Sequence, residues 1–142
     1  MLIRTMTLED IPQVLALHEQ LFNQSFNFID YATEKDFYYG IIMEVDGSIV
    51  GYLVGQIIFE MSDLYYVAVD PQYHSLGYGR LLVEYFIQDA FDMNGESMTL
   101  EVRRSNQIAI SLYKKCGFVP VGVRPNYYAD SEDAILMIRK FK

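Results

Sequence analysis

The stretch Val67-Ala68-Val69-Asp70-Pro71-Gln72-Tyr73-His74-Ser75-Leu76-Gly77-Tyr78-Gly79-Arg80 decides how this chain is read. Its β-branched start reads as the end of a strand, and Asp70-Pro71 stops that strand. Two glycines spaced by one residue then lead into a run with helical periodicity. Such a loop aims several backbone N–H groups into one concavity at a helix N-terminus, where they suit a phosphate. Glycine lets the backbone approach the ligand closely, and Arg80 can add charge. Taken alone, the pattern is equally a plain strand-to-helix turn. A dinucleotide loop would want a third glycine where Leu82 stands, and it would open a βαβ unit rather than follow a hairpin. Glu101, 22 residues after Gly79, meets that motif's acidic position only superficially.

Upstream of this loop, Leu2–Met6 reads as a short strand and Thr7-Leu8-Glu9-Asp10 as a capping box that opens a helix. Ile11, Val14, Leu15, Leu21 and Phe22 share one helical face, with His18 on the same stripe as a half-buried packing residue. Phe28–Tyr39 reads as a second, shorter helix. Ile41–Val45 and Ile49–Phe59 form a hairpin about Asp46-Gly47-Ser48, and Asp63–Val69 is a further strand. Downstream, a helix from about Gly79 to Met93 carries Leu81, Leu82, Tyr85, Phe86 and Ala90 on its apolar face, and Asn94-Gly95 ends it. Met98–Arg103 is a strand, and Asn106–Lys115 a helix closed by Gly117. Phe118–Arg124 and Ala134–Arg139 are the last strands. The order β-α-α-β-β-β-α-β-α-β-β predicts a single α/β domain over residues 1–142, with a mixed, partly antiparallel sheet flanked by helices. No linker, repeat or low-complexity run divides it.

Composition narrows the function. The 19 acidic and 11 basic residues leave a net charge of −8, which argues against nucleic acid as a partner and is compatible with an amine-bearing one. One cysteine, Cys116, permits no internal disulfide and points to a reducing compartment. Two histidines and one cysteine cannot build a zinc site of the usual composition, so no metal is expected. The longest apolar run, Ile49–Phe59, falls far short of the ~20 residues a membrane helix needs. The start MLIRTMTLED lacks the features of a signal peptide. A soluble cytoplasmic protein is expected.

The strand followed by Asp-Pro and His74-Ser75-Leu76-Gly77-Tyr78-Gly79-Arg80 resembles the acetyl-CoA loop of the GCN5-related N-acetyltransferase superfamily, with His74 where that pattern has Gln or Arg. Leu100-Glu101-Val102-Arg103-Arg104-Ser105-Asn106, Ala109-Ile110-Ser111-Leu112-Tyr113 and Gly117-Phe118 resemble the ribosomal-protein-alanine N-acetyltransferases more specifically. So do Arg124-Pro125-Asn126-Tyr127-Tyr128 and Glu132-Asp133-Ala134-Ile135. The likeness runs from about residue 63 to 139. Where that family often carries a Pro-Trp pair, this chain has Asn23-Gln24-Ser25-Phe26-Asn27, and it has no tryptophan.

The resemblance implies direct acetyl transfer from acetyl-CoA to an amine. It implies a cofactor site from the Val67, Ala68 and Val69 backbone, from His74, Ser75, Leu76, Gly77, Tyr78, Gly79 and Arg80, and from Asn106. It assigns general base to Glu101 and general acid to Tyr113. Pattern alone leaves Glu101 as a carboxylate on the Thr99/Glu101/Arg103 face of its strand, Tyr113 as a packing tyrosine with a surface hydroxyl, and Asn106 as a helix cap. Tyr127, Tyr128 and Glu132 resemble a peptide-binding edge, the tyrosines flanking a peptide backbone and the acid attracting a cationic terminus. The acceptor is then a protein N-terminal α-amine, with ribosomal proteins in view; the alternatives are a polyamine-type small amine, a lysine, or an acyl-CoA-binding sensor with no catalysis. Cys116 sits beside a capping glycine with no histidine near it in sequence, which reads as a buried structural thiol rather than a nucleophile.

Overall fold

The structure, a computed structural model, describes residues 1–141. Strand β1 (Leu2–Thr5) leads through a 3₁₀ turn at Leu8–Asp10 into helix α1 (Ile11–Phe22) and a one-turn helix α2 (Ile29–Ala32). Strands β2 (Tyr38–Val45), β3 (Ser48–Ile58) and β4 (Met61–Val69) follow as an antiparallel meander. A 3₁₀ turn at Pro71–Tyr73 precedes helix α3 (Tyr78–Asp92). Strand β5 (Ser97–Arg103), helix α4 (Gln107–Lys115), β6 (Val119–Arg124) and β7 (Ala134–Lys140) complete the chain. The expected element order holds throughout.

The seven strands form one sheet in the order β1-β2-β3-β4-β5-β7-β6, and β4–β5 is its parallel pair. A crossover through α3 is what a parallel pair requires, since no tight turn can reverse the chain twice. The β2–β3 turn places Asp46 and Gly47 at φ 51° and 80°, the left-handed conformations of a two-residue turn that follows strand twist.

Helices cover both faces of the sheet. Leu53, Leu64, Leu82, Phe86, Leu100 and Val102 build the core on the α3/α4 side. Val14, Leu17, Phe28, Tyr52 and Val54 build the core on the α1/α2 side. Strand β3 alternates between the two, so both of its faces are buried and its sequence is almost continuously apolar. At the β3 bulge, a Cβ on Gly55 would land on the Asp63 carbonyl and the Phe86 ring, so only glycine lets α3 pack this closely. Among the described residues, no helix is long and apolar enough to cross a membrane.

Three local expectations are corrected. The helix expected over Phe28–Tyr39 is only Ile29–Ala32, because Tyr38 and Tyr39 are taken into the sheet opposite Gln56 and Gly55. Between them, Glu34 and Asp36 adopt left-handed φ values of 52° and 50°, which a helix cannot contain. The buried face of α3 is Leu82, Val83, Phe86, Ile87 and Ala90, while Leu81 and Tyr85 are exposed, a rotation of about one residue. His18 is completely buried rather than half-buried: its Nδ1 meets the Tyr52 hydroxyl, and Phe22, Phe26, Phe28 and Tyr66 pack around its ring. Burial lowers the His18 pKa, so the ring is neutral.

Candidate active site

The site begins where β4 and β5 part. Their register runs from Met61↔Ser97 to Leu64↔Leu100 and stops there. Beyond it β4 stays paired with β3 through Val69, and β5 stays paired with β7 through Arg103. The facing edges of Tyr65–Val69 and Glu101–Arg103 therefore open like a V. A strand edge with unpaired backbone groups can add an extended ligand by main-chain hydrogen bonds. Val67, Ala68 and Val69 lie on that edge.

The loop past β4 closes one end of the V. Asp70 accepts the Gln72 N–H at 3.0 Å, fixing the 3₁₀ turn. Ser75 and Gly77 have φ of 65° and 79°, so successive N–H groups turn into one concavity ahead of α3. A Cβ at Gly77 would meet nothing within 4 Å; the requirement for glycine there is conformational. At Gly79 a Cβ would meet Leu112 Cδ2 at 3.4 Å, an ordinary contact, so nothing within the protein itself demands this second glycine. Tyr73 and Tyr78 stack at 6.2 Å across the loop. The His74 Nε2 lies 2.8 Å from the Val69 carbonyl, tying the loop to the strand end. Arg80 is paired with Glu84 at 2.5 Å along exposed helix surface, so its charge is partly spent there. The free strand edge and the open cradle fit a thioester carried on an extended, phosphate-bearing arm.

On the other arm, Met98, Leu100 and Val102 are buried while Thr99, Glu101 and Arg103 lie on the opposite, partly exposed face, as the alternation predicts. Thr99 donates to Asp63 across the strands. The Glu101 Oε2 is buried, and among the described residues no group donates a hydrogen bond to it. It lies 2.8 Å from the Arg124 Nε, an ion-pair distance without hydrogen-bond alignment. Tyr113 is buried on α4, with the Phe118 ring 5.9 Å away. Burial pushes its pKa far above the ordinary tyrosine value. The Asn106 Oδ1 accepts the Ala109 N–H at 3.1 Å and caps α4. Cys116 is buried and its thiol is pushed up, so it offers no thiolate.

The loop between β6 and β7 is clamped to the end of β5. Arg103 binds Asp130 and Glu132, both at 2.9 Å, and lies 4.1 Å over the Tyr128 ring. Glu132 also accepts the Ser105 N–H at 2.8 Å. Hydrogen bonds from Ser105 and Arg103 hold the Glu132 pKa below the usual carboxylate range. Asp133 takes Arg104 at 2.9 Å and the Asn126 N–H at 3.0 Å. The carboxylate expected to attract a cationic acceptor is thus already neutralised inside the clamp. What faces outward is Tyr127, half exposed and edge-on to Tyr128 at 5.1 Å. The Tyr128 pKa is raised, mainly by burial, with the neighbouring Arg103 charge opposing the shift. Alternation puts Arg103 on the Glu101 face, but sequence reasoning missed the pairing of Arg124 with Glu101 and of Arg103 and Ser105 with Glu132, which no local pattern signals.

A parallel strand pair that splays at mid-length, with a glycine-bearing loop on one arm and a carboxylate on the other, has the parts a group-transfer enzyme with an extended thioester substrate needs. A profile of the acetyltransferase (GNAT) family matches residues 6–118, and the chain belongs to that family. The N-alpha-acetyltransferase of Sulfurisphaera tokodaii is 34% identical over 151 residues, covering 95% of this chain and 90% of its own. The ribosomal protein bS18-alanine N-acetyltransferase of Salmonella typhimurium is 32% identical over 110 residues, 75% of this chain and 74% of its own. The crystal structure of the ribosomal-protein-S18-alanine N-acetyltransferase from Escherichia coli superposes with a TM-score of 0.88 at 28% identity, over 99% of this chain and 94% of that one. The chain is an N-acetyltransferase with the GNAT fold, and its family uses acetyl-CoA.

Proposed function

We propose that this enzyme acetylates the α-amine at a protein N-terminus, a ribosomal protein being the first candidate, in the cytoplasm. Bound acetyl-CoA supplies a thioester whose carbonyl is open to attack by an amine. Glu101 takes the proton that the amine must lose before or as it attacks. A free N–H on the Val67–Val69 edge polarises the carbonyl oxygen. Tyr113 gives its phenolic proton to the departing thiolate and recovers one from solvent. Its raised pKa keeps it protonated until that step, and it also makes the donation uphill toward a thiolate of pKa ~8.5, so its contribution is modest. Tyr127 and Tyr128 flank the incoming peptide backbone, while Glu132 acts by holding the loop. His74, Ser75, Leu76, Gly77, Tyr78, Gly79, Arg80 and Asn106 line the cofactor arm.

The observation that carries this reading is the buried Glu101 oxygen, undonated among the described residues, on the arm of the V opposite the free Val67–Val69 edge, with Arg124 linking it to Tyr127. Ionisation supports the α-amine. With a pKa of about 7.8 it is roughly a third neutral at pH 7.5, whereas a lysine at about 10.4 is only ~0.1% neutral. One carboxylate would have to overcome two to three further powers of ten for lysine, about all that general base catalysis supplies. The relatives named for N-terminal acetylation support the same choice. The test compares kcat/KM for a short peptide beginning with Ala, the same peptide N-terminally blocked but containing Lys, and spermidine. The first should win. A tenfold advantage for either of the others replaces the N-terminal reading with a lysine or small-amine one, and no turnover of any amine favours a sensor.

A further inference from the structure

One oxygen of the expected base is covered: the Glu101 side chain is 28% exposed, but its Oε2 is buried. The group lying on it is Arg124, itself 57% exposed. The two residues are not on neighbouring strands: β7 runs between them, with Glu101 opposite Leu136 and Arg124 opposite Ala134. Strands two apart stand nearly 10 Å from each other, within the reach of one extended arginine. On this face β7 presents Ala134, opposite Arg124, and Leu136, opposite Glu101, and Arg124 reaches Glu101 diagonally across them. The neighbouring cations are otherwise engaged: Arg103 holds Asp130 and Glu132, and Arg104 holds Asp133.

We propose that Arg124 is a displaceable counter-ion of Glu101, a positioning residue whose guanidinium occupies the place of the acceptor's cationic amine until the acceptor arrives. This rests on the N-terminal α-amine reading and specifies how its site opens. The Nε contact is close but misaligned, so the carboxylate oxygen is neutralised without being hydrogen-bonded. An arriving ammonium can satisfy that oxygen with an aligned N–H, which Arg124 does not. The two cations repel one another at this range, so Arg124 swings out as the acceptor enters. A landing place exists: its guanidinium carbon is already 5.8 Å from the centre of the half-exposed Tyr127 ring, within cation–π range. Tyr127 thereby serves Arg124 as well as the peptide. Arginine suits the task because it never gives up its proton, so it can neutralise Glu101 without competing for the acceptor's proton.

The experiment measures binding of a peptide beginning with Ala to the enzyme–CoA complex, where no reaction can occur, for wild type, Arg124→Gln and Arg124→Lys. Arg124→Gln should tighten the peptide about two- to fivefold, the equilibrium factor for removing one half-exposed ion pair. Arg124→Lys should stay near wild type. The N-acetylated form of the same peptide, which has no cation to place, should bind all three alike. In a Glu101→Gln background, Arg124→Gln should no longer matter. In turnover, the acceptor KM should fall with Arg124→Gln while kcat changes less. Unchanged or weaker peptide binding in Arg124→Gln overturns the proposal, as does equal tightening of the acetylated peptide or tightening that persists without the Glu101 charge. If wild type binds spermidine but not the peptide, the acceptor reading fails instead, and the same comparison run with spermidine still decides the role of Arg124.

Discussion

Replacing Gly77 by alanine separates the conformational demand of the cradle from its binding function. Gly77 sits at φ 79°, and a Cβ there would meet no atom within 4 Å. The free protein therefore loses only the cost of forcing an L-residue into the left-handed region, about 1–2 kcal/mol. For a domain of this size each kcal/mol is worth about 4 °C, so the free variant should melt about 4–8 °C below wild type but still cooperatively. Ligand binding should suffer more. Relaxing the left-handed turn rotates N–H groups out of the concavity, and losing two charge-assisted hydrogen bonds at about 1.5 kcal/mol each weakens binding about 100-fold. At acetyl-CoA equal to 100 times the wild-type Kd, wild type gains about 2.7 kcal/mol and the variant only about 0.4 kcal/mol. Thermal melts with and without acetyl-CoA should thus show shifts of about 11 °C and about 2 °C. NAD should shift neither protein. An undiminished acetyl-CoA shift in Gly77→Ala, or a larger one with NAD in wild type, refutes the assignment of this loop.

Glu101→Gln should lower kcat by about 10²–10⁴-fold with little change in acetyl-CoA binding; near wild-type kcat would leave Glu101 an ordinary surface carboxylate. Tyr113→Phe should lower kcat by about 10²-fold, and a slower, thiol-independent step would show up as no change at all when acetyl-CoA is replaced by a thioester with a more acidic thiol. His18 sets a pH dependence of stability. Its folded pKa lies below the unfolded value of about 6.5, so its neutral burial contributes fully above that pH and is lost as the unfolded chain takes up a proton below it, at up to about 1.4 kcal/mol per pH unit. Urea unfolding from pH 8 to 5.5 should show this decline, and it should survive His74→Gln; a flat profile, or one abolished by that substitution, contradicts it.

Much of this protein was legible from nearest-neighbour chemistry along the chain. The alternation in Met98–Arg103, the Asp46-Gly47 turn, the Asn106 cap and the Gly77 loop each depend on residues within a few positions of one another, where backbone geometry alone dictates who faces whom. The element order followed from these, and the resemblance to a family supplied the roles of Glu101 and Tyr113. What tertiary structure alone decided are interactions whose partners lie far apart in sequence. Helix α2 stops at Ala32 because Tyr38 and Tyr39 pair with β3, and a sheet ladder outweighs weak helical propensity over a few residues. His18 is sealed by rings from α1, β3 and β4 and by the segment after α1, none of which periodicity could bring together. Glu132 is spent on Arg103 and Ser105, and Arg124 reaches Glu101 over an intervening strand. A sequence pattern reports which face a side chain leaves from; which charge it meets there depends on strand order, and that is a property of the whole sheet.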